Sequence, residues 1–306
     1  MALRVTKISV RNYKRIENVD IEIDVFRRRE DEREYEVNKL LLFGPNGGGK
    51  SSLIVALSVL LSYLDESGKY YTVFGDLIGP PHSLIRQGAK RAEIEAAIND
   101  KRYKAVIDRE GGTEVYEIGE AGEIKLSRGV LTFSIAILQP CSLYSSVRQP
   151  YQGEEIGKLE LCPPGIRVRD PDLAEWIKRH KFLLGVEDFY GDCVKIDNYW
   201  VEVDELAFGQ IRTLGLLHAT YGPPDVVIIE PFETGLHYDL AVRILDFLTE
   251  LPSFIILETH VALLVKAALR RGWTVYYVSE GEFTRVRKPE ELRGIARAEA
   301  NAYVYA

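Results

Sequence analysis

Several features that mark other classes of protein are scarce or missing in this 306-residue sequence. Its three cysteines, Cys141, Cys162 and Cys193, lie far apart without a C-x-x-C pair, a pattern that argues against a disulfide framework or a zinc site. No apolar run approaches the roughly 20 residues that a membrane helix needs. The first residues alternate like a strand and do not resemble a signal peptide. These absences predict a cytoplasmic protein without a membrane span.

An excess of positive charge is also missing. The chain has 39 Lys and Arg against 46 Asp and Glu, a net charge of −7. This balance argues against nucleic acid binding over the whole surface, although it permits a local basic groove. No heptad pattern is long enough for a coiled coil. With 46% apolar residues, the length suits one large or two moderate domains with a proper core.

The most informative segment that is present runs from residue 44 to 51 and matches the phosphate-loop pattern G-x-x-x-x-G-K-[ST]. In this pattern the glycines let backbone N–H groups face phosphate oxygens, the lysine reaches the β- and γ-phosphates, and the hydroxyl can ligate Mg²⁺. The predicted nucleotide-binding residues of the loop are Gly44, Pro45, Asn46, Gly47, Gly48, Gly49, Lys50, Ser51 and Ser52, with Ser51 also a metal ligand.

The sequence around this loop supports the same interpretation. Residues 39–43 are apolar and predict a buried strand, and leucines recur at helical spacing from Leu53 to Leu64. A helix that begins at the loop presents its positive dipole end to phosphate. A chance match is expected about once in a hundred chains of this length. The sequence therefore predicts nucleotide binding with Mg²⁺, and the family resemblance described below implies that the nucleotide is ATP.

The pattern of the remaining segments predicts an α/β fold. Strands are expected at 3–10, 19–25 and 35–43, with several short strands over 91–139. The predicted fold adds an N-terminal antiparallel β subdomain and a small helical insert to the sheet core. From 206 onward, helices at 210–220, 238–250 and 261–271 alternate with strands, the pattern of a parallel sheet flanked by helices. Residues 141–197 are irregular apart from one helix that Asp170 and Pro171 would begin.

Polar residues follow the apolar strands at several points outside the loop. Glu230 ends the strand at 225–230, where a carboxylate can hold the Mg²⁺ that Ser51 also ligates. Glu233 follows within Glu-Thr-Gly-Leu-His, Glu258-Thr259-His260 ends the next strand, and Gln139 ends the strand at 131–138.

The order of these segments resembles the ABC-type ATPases, within them the SMC/RecF/OLD-like branch. The opening segment 10–16 is similar to that branch's N-F-[KR]-[SR]-[IF] strand, which adds Lys14 and Arg15 to the nucleotide site. The resemblance implies that Gln139 is the Q-loop glutamine, near Mg²⁺ and the attacking water, and that His260 is the switch histidine. Residues 206–210 match the L-S-x-G-[QE] signature, which implies nucleotide contacts for Ala207, Gly209 and Gln210.

Two positions depart from the family pattern. Ala207 replaces the signature serine, which should weaken contact with the γ-phosphate across a dimer. Pro231 falls where the family has its water-activating glutamate, so slow hydrolysis is expected. Glu230 is then the metal carboxylate, and Glu233 and His260 are nearest to the γ-phosphate. A one-residue insertion would instead make Glu230 the base, and Glu233 is a further candidate for that role.

The resemblance also implies an organisation and a set of partners. It predicts a single ATPase head with lobe I at 1–140 and 222–306 and a lid with the signature helix at 141–221. It implies a head-to-tail homodimer formed on Mg-ATP, a separate protein partner and possible contact with DNA through Lys178, Arg179 and Lys181. The predicted role is the motor or switch of a DNA repair or defence system. An ATP-gated interaction module with little turnover and, more weakly, a transport ATPase subunit are the alternatives.

Overall fold

A computed structural model describes residues 3–30, 33–66, 80–127, 129–145, 157–161, 168, 170–292 and 294. The chain divides into two compact units. We call Leu3–Thr132 with the segment from Glu258 onward the phosphate-loop unit, and Phe133–Leu257 the signature unit. The predicted division at 140 and 221 stays a prediction, since compactness separates the chain at other positions.

The described strands are, in chain order, β1 (Val5–Tyr13), β2 (Ile16–Glu22), β3 (Phe26–Glu30), β4 (Arg33–Val37), β5 (Lys39–Phe43), β6 (Arg91–Ile98), β7 (Lys101–Asp108), β8 (Thr113–Gly119), β9 (Gly122–Leu126), β10 (Ile135–Gln139), β11 (Ser142–Ser145), β12 (Gly157–Glu160), β13 (Asp188–Tyr190), β14 (Cys193–Ile196), β15 (Tyr199–Glu202), β16 (Val226–Ile229), β17 (Phe254–Thr259), β18 (Thr274–Ser279) and β19 (Glu282–Val286). The described α-helices are α1 (Lys50–Leu64), α2 (Pro171–Arg179), α3 (Lys181–Leu184), α4 (Phe208–Thr220), α5 (Tyr238–Glu250) and α6 (Ala262–Arg270), with 3₁₀ turns at Pro81–Leu84 and Val203–Glu205.

The phosphate-loop unit is built on a six-stranded antiparallel sheet with the order β2-β1-β6-β7-β8-β9. Alternate residues of β6 are buried, so that one face of the sheet joins the core and the other faces solvent. Helix α1 packs against β1 and β6 with nearly all of its side chains buried. In the same unit β5 pairs in parallel with β18, which pairs antiparallel with β19. This arrangement holds the loop between β5 and α1 at a fixed place.

The signature unit contains a run of strands in the order β12-β11-β10-β16-β17. Strands β10, β16 and β17 pair in parallel and are apolar, as expected of strands covered on both faces. Helix α4 packs against β10, and α2 lies across α4, where the Trp176 indole donates a hydrogen bond to the Leu217 carbonyl oxygen at 3.0 Å. A small antiparallel sheet, β13-β14-β15, completes the unit.

The α/β fold class predicted from the sequence is confirmed, including the antiparallel N-terminal strands and the alternation after residue 206. Asp170 caps α2 through its side chain, which accepts the Asp172 N–H at 2.9 Å, and Pro171 occupies the first helical position. In the described part of the chain no helix is long and apolar enough to cross a membrane.

Several local predictions were wrong. The segment 141–197, expected to be irregular around one helix, also contains β11 to β14 and the short helix α3. The strand expected at 35–43 is interrupted at the buried Asn38, whose side-chain amide donates to the Val5 carbonyl oxygen. Cys141 is disulfide-bonded, although wide spacing argued against disulfides, whereas Cys193 is a free, half-buried thiol.

Candidate functional site

The loop between β5 and α1 lies directly against the backbone of β18. Gly44 has a φ of +148°, and a Cβ atom built on it would be 2.1 Å from the Val278 carbonyl oxygen. A side chain cannot be accommodated at that distance, which explains the glycine at this position. The Gly281 N–H also donates to the Gly48 carbonyl oxygen at 2.7 Å. The loop backbone is therefore held in place before any ligand arrives.

Lys50 begins α1 and is almost completely buried. Its ammonium donates hydrogen bonds to the carbonyl oxygens of Gly44 at 2.9 Å and Pro45 at 2.8 Å. The Nζ atom also lies 3.6 Å from Oε1 of Glu258. The cation that phosphate would meet is thus oriented by the loop itself.

Glu258 is the residue that sequence reasoning placed at a strand end without giving it a role. It lies on β17, is 6% exposed, and its Oε2 atom accepts a hydrogen bond from the Ser51 hydroxyl at 2.8 Å. The side chain therefore contacts both loop residues expected to handle phosphate and metal. A carboxylate at the end of an apolar strand, two residues before the predicted switch histidine, was the available signal.

The predicted switch histidine is also tied to the loop. Nδ1 of His260 lies 2.8 Å from the Gly44 carbonyl oxygen, and Nε2 lies 3.8 Å from Oε1 of Glu258. Nδ1 also lies 3.4 Å from the Lys50 Nζ atom, so this nitrogen faces one acceptor and one donor. His260 is partly exposed, and its second nitrogen is directed toward Glu258 rather than into the core.

These residues border a cleft of about 280 Å³. Its lining comprises Lys14, Arg15, Gly47, Gly49, Lys50, Ser51, Ser52 and Glu258. Pro45 and Asn46 are exposed on the loop and do not line the cleft. Three cationic side chains and the N-terminus of α1 make this a suitable environment for phosphate. Most of the loop residues and the Lys14-Arg15 pair predicted from the sequence are therefore brought together here.

The signature unit contains the other predicted site residues. Helix α4 begins after Ala207, which provides no side-chain cap. Oε1 of Gln210 accepts the Ala207 N–H at 3.2 Å, and its amide nitrogen donates to the Leu184 carbonyl oxygen at 3.0 Å. The polar atoms of Gln210 are thus used inside the unit, where they stabilise the start of the helix.

The start of α4 lies against the segment 233–237. A Cβ atom built on Gly209 would be 2.3 Å from the Gly235 carbonyl oxygen. Only glycine permits this approach. The two predicted family motifs, the signature and Glu-Thr-Gly-Leu-His, are therefore in direct contact within one unit.

Arg212 of α4 is 1% exposed and was not predicted as a site residue. Its guanidinium donates to the carbonyl oxygens of Gln139, at 2.9 Å, and Pro231. Burial lowers the pKa of Arg212 to about 10, and the nearby charge of Glu233 acts in the opposite direction. The side chain links α4 to the ends of β10 and β16. An arginine that is the only Lys, Arg, Asp or Glu residue of α4 was the signal that could have identified it.

The candidate catalytic carboxylates occupy different places in this unit. Glu230 follows β16 and is half-buried, and Glu233 lies in the turn that leads toward α5. The roles predicted for Glu230, Glu233 and Gln139 stay predictions. Among the described residues, no group of three His, Cys, Asp or Glu side chains could hold a metal. Mg²⁺ fits the chain nonetheless, because it is usually held by one or two carboxylates together with phosphate oxygens and water.

The cations considered for DNA contact have partners in the structure. Lys178 lies 3.4 Å from Asp188, Arg179 lies 3.7 Å from Glu175, and Lys181 donates to the Glu187 carbonyl oxygen. This arrangement agrees with a solvated surface of mixed charge. It does not form a continuous basic groove within the part of the chain the structure describes.

Part of the chain matches a known protein family model. A family model described as "AAA domain, putative AbiEii toxin, Type IV TA system" matches residues 151–266. No curated protein matches the sequence.

Solved structures match most of the chain. An SMC head domain from Thermotoga maritima has a TM-score of 0.52 at 16% identity, over 92% of this chain and 99% of that chain. An SMC head bound to the C-winged helix domain of ScpA has a TM-score of 0.60 at 12% identity, over 92% and 97%. The recombination mediator protein RecF with ATP gives 0.51 at 12% identity, over 93% and 98%. The chain therefore has the fold of the ABC-type P-loop ATPases, as the order of its motifs predicted.

Proposed function

We propose that this protein binds Mg-ATP in the cleft of the phosphate-loop unit and hydrolyses it slowly. The observation that carries the proposal is the cleft itself, in which Lys14, Arg15 and Lys50 surround the N-terminus of α1. Phosphate groups carry the opposite charge, and the backbone N–H groups of the loop can donate to their oxygens. The RecF structure that shares this fold was solved with ATP, which supports the choice of nucleotide.

The residues that would hold the metal are Ser51, through its hydroxyl, with Glu230 and Gln139 as the ligands that the family pattern implies. Bound Mg²⁺ would neutralise negative charge on the phosphates. Within this chain Lys50 would bind the β- and γ-phosphates. His260, whose Nδ1 lies beside the Gly44 carbonyl oxygen, would lie near the γ-phosphate, and Glu233 or Glu230 would accept a proton from water.

The proposal includes a second copy of the chain. The signature helix α4 presents its N-terminus and Gly209, a further anion-binding arrangement, while α1 already serves the nucleotide of its own copy. The N-terminus of α4 and Gly209 would have a ligand if they faced the nucleotide bound by a second copy of the chain. We therefore propose a head-to-tail dimer that forms on Mg-ATP and contains two nucleotides.

The wider role we propose is that of a motor or switch in a DNA repair or defence system in the cytoplasm, where ATP is available. Two findings support it. The RecF relative is described as a recombination mediator, and the matching family model as part of a toxin system. An SMC head with this fold was solved with ScpA bound, which supports a separate protein partner here. Because Lys178, Arg179 and Lys181 have partners within the unit, we expect DNA contact through them to require such a partner or the dimer.

A second candidate is an ATP-gated interaction module with little turnover. Pro231 favours it, since proline cannot accept a proton at the position of the family's catalytic glutamate. In this alternative the function is formation of the ATP-dependent dimer, and hydrolysis matters less.

Steady-state release of phosphate, measured with and without DNA, separates the two candidates. Turnover that depends on Lys50 and rises with DNA supports the enzyme. ATP-dependent dimers with negligible turnover under both conditions support the module. If the protein neither binds nucleotide nor forms ATP-dependent dimers, both candidate functions are contradicted.

A further inference from the structure

The carboxylate of Glu258 occupies an unusual position for a site that must bind anions. It is 6% exposed, accepts a hydrogen bond from the Ser51 hydroxyl at 2.8 Å, and lies 3.6 Å from the Lys50 ammonium. These are the two side chains of the loop that a Mg-nucleotide must engage. Glu258 therefore places a negative charge beside the groups that phosphate and metal would engage.

The same position makes Glu258 unfavourable for nucleotide alone. A carboxylate within a few ångströms of a phosphate repels it strongly in a partly buried site, where charges are screened less than in water. A divalent cation reverses this effect, because carboxylate and hydroxyl oxygens are ligands that Mg²⁺ prefers. Ser51 and Glu258 present such oxygens side by side.

We propose that Glu258 is a carboxylate through which the cleft takes nucleotide as its Mg²⁺ complex and rejects metal-free nucleotide. In the structure Glu258 accepts a hydrogen bond from Ser51 and lies beside Lys50. With Mg-nucleotide bound, Lys50 would contact phosphate, and Ser51 and Glu258 would hold the metal. This inference rests on the proposed ATP binding and assigns it a residue that the family pattern does not supply.

The test measures the affinity of a fluorescent ATP analogue in EDTA and in Mg²⁺ by anisotropy, a readout that does not require turnover. Wild-type protein is expected to bind at least about tenfold more tightly with Mg²⁺. In Glu258→Gln, the neutral amide removes the repulsion, so that metal-free affinity rises by about tenfold and the gain from Mg²⁺ falls to about twofold or less. Glu110→Gln, an exposed change in the same unit, is the matched control and should behave as wild type.

Other outcomes overturn the inference in distinguishable ways. Equal behaviour of Glu258→Gln and wild type would show that Glu258 does not face the metal. Equal loss of binding in both conditions, with an unchanged melting temperature, would make Glu258 a support for the loop only. If Glu258→Gln does not fold, Glu258→Asp decides: a shorter arm should reduce the gain from Mg²⁺, and an unchanged gain refutes the role. Wild-type protein that binds no nucleotide would contradict the proposed function itself.

Discussion

The phosphate-loop unit and the signature unit differ in how completely they retain the groups their motifs predict. In the first, the loop pattern is intact and Lys50, Ser51 and Glu258 converge within hydrogen-bonding or ion-pair distance. In the second, Ala207 and Pro231 stand where the family pattern predicts a hydroxyl and a carboxylate, and the polar atoms of Gln210 and Arg212 are used internally. The comparison supports the proposal that nucleotide binding and hydrolysis are separable in this chain, because the groups proposed for binding are complete and those proposed for hydrolysis depart from the family pattern.

The largest expected effect concerns the carboxylates of the signature unit. If Glu233 has taken the place of the missing base, Glu233→Gln should lower turnover by about 10²–10⁴-fold, the usual contribution of general-base catalysis. Nucleotide binding and dimer formation should persist, because they depend on other groups. Phosphate release and calorimetry measure the two properties separately.

The alternative assignment, with Glu230 as the base, predicts a different set of results. If Glu230 is the base, Glu230→Gln should abolish turnover and leave Mg²⁺ dependence unchanged; if it holds the metal, Mg²⁺-dependent binding should weaken too. Pro231→Glu should raise the rate if the family alignment is right. Rapid wild-type turnover that neither Gln variant changes would show that the alignment of the strand end with the family is wrong.

A stability experiment sharpens the separation of the two units. Arg212→Met keeps an unbranched side chain but leaves the carbonyl oxygens of Gln139 and Pro231 without their donor, which should cost about 2–4 kcal/mol of unfolding free energy. Chemical denaturation followed by tryptophan fluorescence reports the change. Arg243→Met, an exposed change in α5, should have almost no effect. A loss of less than about 0.5 kcal/mol would contradict the linking role of Arg212.

Removal of the loop cation tests the phosphate-loop unit. Lys50→Ala eliminates a charge-assisted contact typically worth about 1.5–3 kcal/mol, so ATP affinity should fall at least about tenfold. Calorimetry with Mg-ATP measures it. Lys90→Ala, which changes an exposed lysine of the same unit, should bind as wild type. Equal affinity in Lys50→Ala and wild type would refute the assignment of the cleft.

The smallest expected effect belongs to the altered signature. Ala207→Ser restores a hydroxyl, which should tighten an ATP-dependent dimer by about fivefold, the scale of one neutral hydrogen bond. The same hydroxyl can cap α4 and should stabilise the nucleotide-free protein by about 1 kcal/mol. Ultracentrifugation with nucleotide and denaturation without it separate these effects. Ala121→Ser, in an exposed turn, is the control; a dimer no tighter than wild type would place Ala207 away from the second nucleotide.

The sequence predicted the structural features that depend on residues close together along the chain. The phosphate loop, the capped start of α2 and the alternation after residue 206 are local patterns, and each was found where expected. Arg212 and Glu258 were missed as site residues because their partners are distant in sequence: Arg212 meets a carbonyl 73 positions away, and Glu258 a hydroxyl 207 positions away. The short strands β11 to β15 were missed because each has only three or four residues, too few to show a two-residue period.

The central claim is that ATP bound in the phosphate-loop unit of one copy recruits the signature helix α4 of a second copy. Light scattering of wild-type protein and Lys50→Ala, with and without Mg²⁺ and a non-hydrolysable ATP analogue, tests this claim most directly. We predict that the wild-type mass doubles from that of one 34.7 kDa chain when the analogue is added, while Lys50→Ala stays monomeric. A wild-type mass that is the same in both conditions would contradict the account.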